Sequence, residues 1–271
     1  MKVIITHDVD HIGFWEHKKD MMIPKFIVRN LIEFSLGYIT RLELKNRFKA
    51  LFTNKWQNTE EVMAFDRKKD IPATYFVAVN RGHKLTYSLE DAELWIRKIK
   101  REGFDVGVHG IAFDDYRKVK KEYEIFRNIS QSHHFGIRTH YLKTSSKTLS
   151  LLDESGYLFD SSIYKLKNPY QVGKMWEFPL HLMDCHVMCK KRRWQDQSLS
   201  EVKERTYAEI NRALDSGIKY FTICSHDIYF NDYYYTWKSW YIWLVEHLKS
   251  KGLEFVNYKQ AIDEMSTSYV N

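Results

Sequence analysis

Three cysteines in 271 residues leave no room for a disulfide framework and fit a reducing compartment. No stretch approaches the roughly 20 apolar residues that cross a bilayer, so no transmembrane helix is expected. The start, Met1-Lys2-Val3-Ile4-Ile5-Thr6, turns polar at once. It has no extended apolar region and no small-residue cleavage site, which predicts no signal peptide and a cytoplasmic location. No linker, repeat or low-complexity segment divides the chain, so one catalytic domain over 1–271 is expected. A Gly-rich phosphate loop, a dinucleotide fingerprint and a GxSxG elbow around Ser161 or Ser162 are all missing. Nucleotide-binding folds and serine hydrolases are thereby disfavoured.

What is present is basic and aromatic. The net charge is +7 and the pI about 9.0. The lysines are dispersed, and the one dense run, Lys190-Lys191-Arg192-Arg193 beside Trp194, reads as a solvated loop. Nucleic acid is therefore not the expected partner; strongly salt-dependent binding would reveal it. Cys185 and Cys189 sit four apart with His181 and His186 nearby. A structural zinc site needs four ligands and a tighter pairing, so these read as buried thiols. The aromatic cluster from Tyr229 to Trp243 reads, beyond Trp237, as the packed face of a helix.

Short β-rich runs at 2–7, 73–79, 105–109, 137–142, 220–226 and 253–258 alternate with amphipathic stretches. Helices are predicted from Ser88, where Ser-Leu-Glu-Asp opens a capping-type start, to Gly103, and over 118–129, 147–154, 198–214 and 235–251. The alternation argues for an α/β fold with a parallel sheet closing toward a barrel, whose chemistry sits at the C-terminal strand ends. His7, Asp8 and Asp10 follow the first strand, His109 and His140 lie at or near the ends of the third and fourth, and His226 and Asp227 end the fifth. Residues 12–66 interrupt the pattern with a basic, apolar, helical stretch at 21–48, read as an insertion over or beside the active face. Ile27, Leu31, Phe34 and Tyr38 at helical spacing also allow peripheral membrane contact.

Asp8 and Asp10, two apart on an extended strand end, point to one side. Two such carboxylates ionise together only when a cation compensates them. A metal ion plus an arginine, with Arg138 the natural one, would give the two aspartates different jobs.

At these residues the chain resembles the polysaccharide deacetylases of the NodB-homology type, carbohydrate esterase family 4. Thr6-His7-Asp8-Val9-Asp10 is similar to the family's first motif in its Asp-x-Asp form. Ile71-Pro72-Ala73-Thr74-Tyr75-Phe76-Val77 is like its second strand, and Asp105-Val106-Gly107-Val108-His109-Gly110 resembles the approach to its second motif. Arg138-Thr139-His140-Tyr141 resembles the third motif, Tyr157–Ser162 the fourth, and Ile223-Cys224-Ser225-His226 the fifth. The resemblance implies an irregular (β/α)7-type barrel and hydrolysis of an N-acetyl group on a sugar or glycan. It implies a divalent metal, with zinc the expected ion, held by Asp10 and His109. Asp8 would be the general base, Arg138 its orienting partner, His226 the general acid with Asp227 assisting, and the backbone N–H near Tyr141 an oxyanion donor. With no signal peptide read, the expected substrate is a precursor of a bacterial surface polysaccharide.

The second motif departs from the family. Phe113 stands where its second histidine ligand belongs. His140, at a position usually held by proline, is the expected replacement; His11 and Asp114 are the alternatives. If none serves, the chain would be a catalytically impaired relative that binds glycan or scaffolds a biosynthetic complex. Glu177 is read as a strand residue facing solvent, His133 and His134 as exposed loop residues.

Overall fold

The computed structural model describes residues 1–190 and 194–268. Arg192 and its neighbours Lys191 and Arg193, three members of the basic run, lie outside the described residues.

Nine strands form one sheet: β1 (Lys2–Val9), β2 (Thr74–Val77), β3 (Asp105–Gly110), β4 (Ile137–Thr139), β5 (Phe159–Asp160), β6 (Tyr170–Val172), β7 (Met175–Glu177), β8 (Leu180–Met183) and β9 (Tyr220–His226). Their order is β6-β7-β5-β4-β3-β2-β1-β9-β8, and every neighbouring pair is parallel except β6–β7. The sheet curls back on itself. Leu180 N donates to Ile163 O at 2.8 Å and Lys165 N to Leu180 O at 3.2 Å, which brings the β8 edge against the chain leaving β5. The irregular barrel expected from the sequence is the fold observed.

β1 is central, and Val3 to Val9 are all buried. Its period of two sorts those residues. Val3, Ile5 and Val9 pack with the helix layer, whereas Ile4 packs inside the barrel with Phe76, Phe159, Phe178 and Tyr258. The barrel wall is tight where β4 begins: a Cβ on Gly136 would collide with the Phe159 ring, so only glycine fits there.

The helices follow the predicted signals. Ser88 caps Leu89–Arg101 in a capping box with Asp91, and Ser198 does the same with Glu201 for Leu199–Asp215. Tyr116–Ser130, Thr148–Ser155 and Tyr235–Ser250 lie where expected. Trp237, Trp240 and Tyr241 are buried, in accord with a packed aromatic face. The insertion contains the helices Met22–Ser35 and Arg41–Phe48.

Several expectations need correction. The predicted strand at 253–258 makes only a single bridge, Val3 to Phe255, because Tyr258 opens the helix Tyr258–Ser268. The strand at 137–142 stops at Thr139, and a 3₁₀ turn follows in which Tyr141 and Leu142 adopt left-handed φ values of 58° and 52°. The strands β5, β6 and β8 and the helix Thr59–Lys68 are not anticipated from the sequence.

Candidate active site

β1 carries Thr6 and Asp8 into the barrel, and Asp10 lies just past its end. Arg138, on β4, is fully buried. Its Nη1 donates to Asp8 Oδ1 at 2.8 Å and to Thr6 Oγ1 at 2.7 Å. Nε and Nη2 reach the carbonyl and hydroxyl of Ser161, each at 3.1 Å, and Nη2 also reaches the Tyr258 hydroxyl at 3.3 Å. The guanidinium is thus pinned from four sides above the Phe76 ring. Burial pushes the Asp8 carboxyl up, but Arg138, His109 and His226 outweigh it and hold Asp8 below its usual range.

His109 at the end of β3 and His140 just beyond β4 converge on Asp10. His109 Nε2 lies 3.1 Å and His140 Nδ1 3.6 Å from Asp10 Oδ1, and the two ring nitrogens are 2.9 Å apart. The far nitrogens settle the tautomers. His109 Nδ1 is 3.0 Å from Arg138 O, and His140 Nε2 is 3.1 Å from His83 O. A carbonyl only accepts, so both far nitrogens carry protons. With both rings neutral, the near nitrogens present two lone pairs to each other beside the Asp10 carboxylate. Either a proton on His109 or a cation reconciles that spacing: burial pulls the His109 imidazole down, but Asp8 and Asp10 outweigh it and raise it above its usual value. Two imidazoles and one carboxylate, each imidazole anchored through its second nitrogen, suit a divalent metal such as zinc. Burial pulls His140 down to about 4, which keeps it neutral. Burial pushes Asp10 up, but His140, His109 and His226 hold it well below its usual range.

His226, at the end of β9, faces the same point, with Nε2 3.7 Å from Asp10 Oδ2. Its Nδ1 lies 2.8 Å from Asp184 Oδ1, and its backbone N donates to Asp184 Oδ2 at 2.7 Å. Burial pulls the imidazole down, but Asp184, then Asp10 and Asp8, outweigh it and raise it to about 10. Asp184 follows β8 directly. Sequence reasoning missed it because β8 was not read as a strand; its position after the apolar Leu180–Met183 run was the available signal. The Asp227 carboxylate makes no hydrogen bond to the His226 ring. It accepts from Thr59 Oγ1 at 2.6 Å and from Asn58 N at 3.3 Å, and burial pushes it up to about 7.

The other candidates lie elsewhere. His7 faces the helix layer, with Nε2 2.9 Å from Asp66 Oδ2, and not the strand-end cluster as expected. His11 borders the cavity, but stacks on Trp56 and groups with Glu16 and His17 instead of Asp10. Asp114 is exposed, as are His133 and His134. Glu177 does not face solvent: it is fully buried beside Asp160, and burial plus that charge raise it well above the usual carboxylate range. Burial raises the Cys189 thiol to about 12, and among the described residues neither Cys185 nor Cys189 joins a group of metal-ligating atoms. The site opens into a cavity of about 360 Å³ bordered by Asp8, Asp10, His109, His140, Tyr141 and His226.

The loop after β3 is held by Glu122. Its carboxylate accepts from Asn80 Nδ2 at 2.9 Å, Ile111 N at 3.1 Å and Ala112 N at 3.2 Å. Burial nevertheless raises it from 4.5 to about 7. The folded state holds the extra proton, so this stabilisation is full below about pH 4.5 and is lost as the pH rises through 7. The loss is on the order of 3 kcal/mol. Thermal melts should show Tm falling from pH 5 to pH 8, with a flatter profile in Glu122→Gln; identical slopes would contradict this.

Among solved structures, a Mycobacterium smegmatis protein described as a polysaccharide deacetylase matches with a TM-score of 0.59, over 94% of this chain and 92% of its own, at 16% identity. The chain has the NodB-like polysaccharide deacetylase fold. A Pseudomonas aeruginosa protein so described matches at TM-score 0.61 and 11% identity, covering 96% of this chain and 88% of its own. Puue allantoinase matches this chain at TM-score 0.63 and 12% identity, with the same coverage of 96% and 88%. At these identities the likeness is one of fold. No family model and no curated protein matches the sequence.

Proposed function

We propose that the chain is a metal-dependent carbohydrate N-deacetylase, a single catalytic unit over 1–271. Its role would be cytoplasmic, on an N-acetylated precursor in bacterial surface polysaccharide biosynthesis. The observation that carries this reading is the pair of facing nitrogens of His109 and His140 at Asp10, set between the Asp8–Arg138 and His226–Asp184 pairs. Asp10, His109 and His140 would hold the ion, zinc being the expected one. When bound, such an ion polarises the acetyl carbonyl and acidifies water.

The chain's own groups supply the proton transfers. Asp8, kept ionised by Arg138, accepts a proton from the attacking water. The water oxygen bonds to the acetyl carbon, and the carbon–nitrogen bond breaks. His226, held protonated by Asp184, gives its proton to the departing sugar amine. Acetate and the free amino sugar result. Tyr141, in a left-handed turn that borders the cavity, would supply its backbone N–H as the oxyanion donor.

Asp8→Asn tests the division of labour between the two aspartates. It removes the proton acceptor and leaves the three ligands in place. Acetate release should fall at least about a hundredfold with one zinc per chain still bound; retained activity would overturn the assignment. A glycan-binding protein without turnover is the second reading, favoured by Phe113 at the expected ligand position. It predicts no acetate release even from metal-loaded protein.

A further inference from the structure

Beside the candidate active site lies a larger cavity, of about 700 Å³, between the helix Met22–Ser35 and the segment after β9. The two cavities share His11, Met22, Arg29, Ile228 and Tyr229 among their lining residues and so adjoin each other. The larger one is lined by aliphatic side chains such as Met22, Val28 and Ile32 and by the aromatic Trp56, Trp194 and Tyr234.

Of its polar neighbours, His11 Nδ1 and Trp56 Nε1 lack a hydrogen-bond partner among the described residues, whereas Asn30 and Arg29 are engaged. Asn30 Nδ2 donates to Phe26 O at 2.7 Å, and its Oδ1 accepts from Arg47 Nη1 at 3.0 Å. Arg29 Nε donates to Glu33 at 2.8 Å, and its Nη1 to the Tyr229 hydroxyl at 3.3 Å. A second sugar ring would bring several hydroxyls into this space and leave most of them unpaired, which is unfavourable. A hydrocarbon chain has no such requirement and gains from every methylene it buries.

We propose that this cavity holds the apolar chain of an amphiphilic substrate: a sugar with its N-acetyl group at Asp10, His109 and His140 and an alkyl or prenyl chain attached. This rests on the deacetylase reading and narrows its substrate class. The insertion that walls the cavity also exposes Leu31, Phe34, Leu42 and Phe52 on its outside, among lysines and arginines. Such a face suits approach to a membrane surface, where a chain-bearing sugar would be found.

The test uses methyl, butyl and octyl N-acetyl-β-glucosaminides below their micelle concentrations, with affinity read by calorimetry and turnover by acetate release. Each methylene that is fully buried is worth about fourfold in affinity, so the octyl compound should bind at least about tenfold tighter than the methyl one. Val28→Asp, at a half-exposed position on the cavity wall, should abolish that gain. Leu42→Asp, on the outer face and away from the cavity, should leave it intact. Affinity independent of chain length, or a gain lost in Leu42→Asp but kept in Val28→Asp, would overturn the proposal. A chain-length gain without acetate from any probe would support the cavity assignment and sink the deacetylase reading. Acetate release at equal affinity for all three would do the reverse.

Discussion

Replacing His140 by alanine should strip the bound divalent cation from the protein. His109 Nε2 and His140 Nδ1 face each other at 2.9 Å with their other nitrogens committed to carbonyls. Without His140, the site is left with one imidazole and one carboxylate, below the three protein ligands that hold a catalytic zinc. Removing an outer partner of a ligand costs about 10–100-fold in metal affinity, and removing a ligand costs more. Metal analysis after dialysis should therefore find about one zinc in the parent protein and close to none in His140→Ala, with acetate release at background. Circular dichroism would confirm that the variant is folded. Unchanged stoichiometry would remove His140 from the ligand set and return attention to His11.

The second large effect concerns Asp184. In Asp184→Asn, the charge that raises His226 to about 10 is lost, and the amide in its place favours the wrong imidazole tautomer. The same substitution beneath a catalytic histidine in serine proteases costs about 10⁴ in kcat. We expect a loss of about 10³–10⁴ in kcat here. The sign of the pH effect follows from the proposed role of His226 as an acid. Activity needs its protonated form, so a lower pKa moves the alkaline limb of the rate profile to lower pH. Zinc content should stay at one per chain, since Asp184 contributes no ligand. A variant with parental kcat and an unmoved alkaline limb would exclude Asp184 as the positioning residue for His226.

The two predictions differ in how far the sequence alone suggested them. Asp8, Asp10 and His109 were legible because each ends or follows a strong apolar strand, and parallel strands send such ends to one face. His140 was legible only through an absence, Phe113 at the expected ligand position. Asp184 was not legible. It hangs on β8, a four-residue strand between a proline and a short helix, too brief for periodicity to declare. His7 shows the opposite failure. Its neighbours on both sides point inward, but a period of two sends His7 itself to Asp66, Tyr75 and Tyr241 in the helix layer. Glu177 was misread because every residue of β7 is buried, so neither of its faces meets water. Tyr258 looked like the end of a strand. It instead begins a helix and sends its hydroxyl to Arg138.

The fold itself was legible for a simpler reason. Capping boxes at Ser88 and Ser198 and the buried run of β1 are local signals that tertiary packing reinforces. The short strands from β5 to β8 are different, because only the closing of the barrel brings them together.

The most direct measurement is acetate release by the full chain, first stripped with a chelator and then reloaded with zinc, cobalt or nickel, across a panel of N-acetyl sugars. The account predicts no release from the stripped protein and restored release on addition of one equivalent of metal. Release that is indifferent to chelation, or a fully metal-loaded protein that frees no acetate from any sugar in the panel, would contradict it.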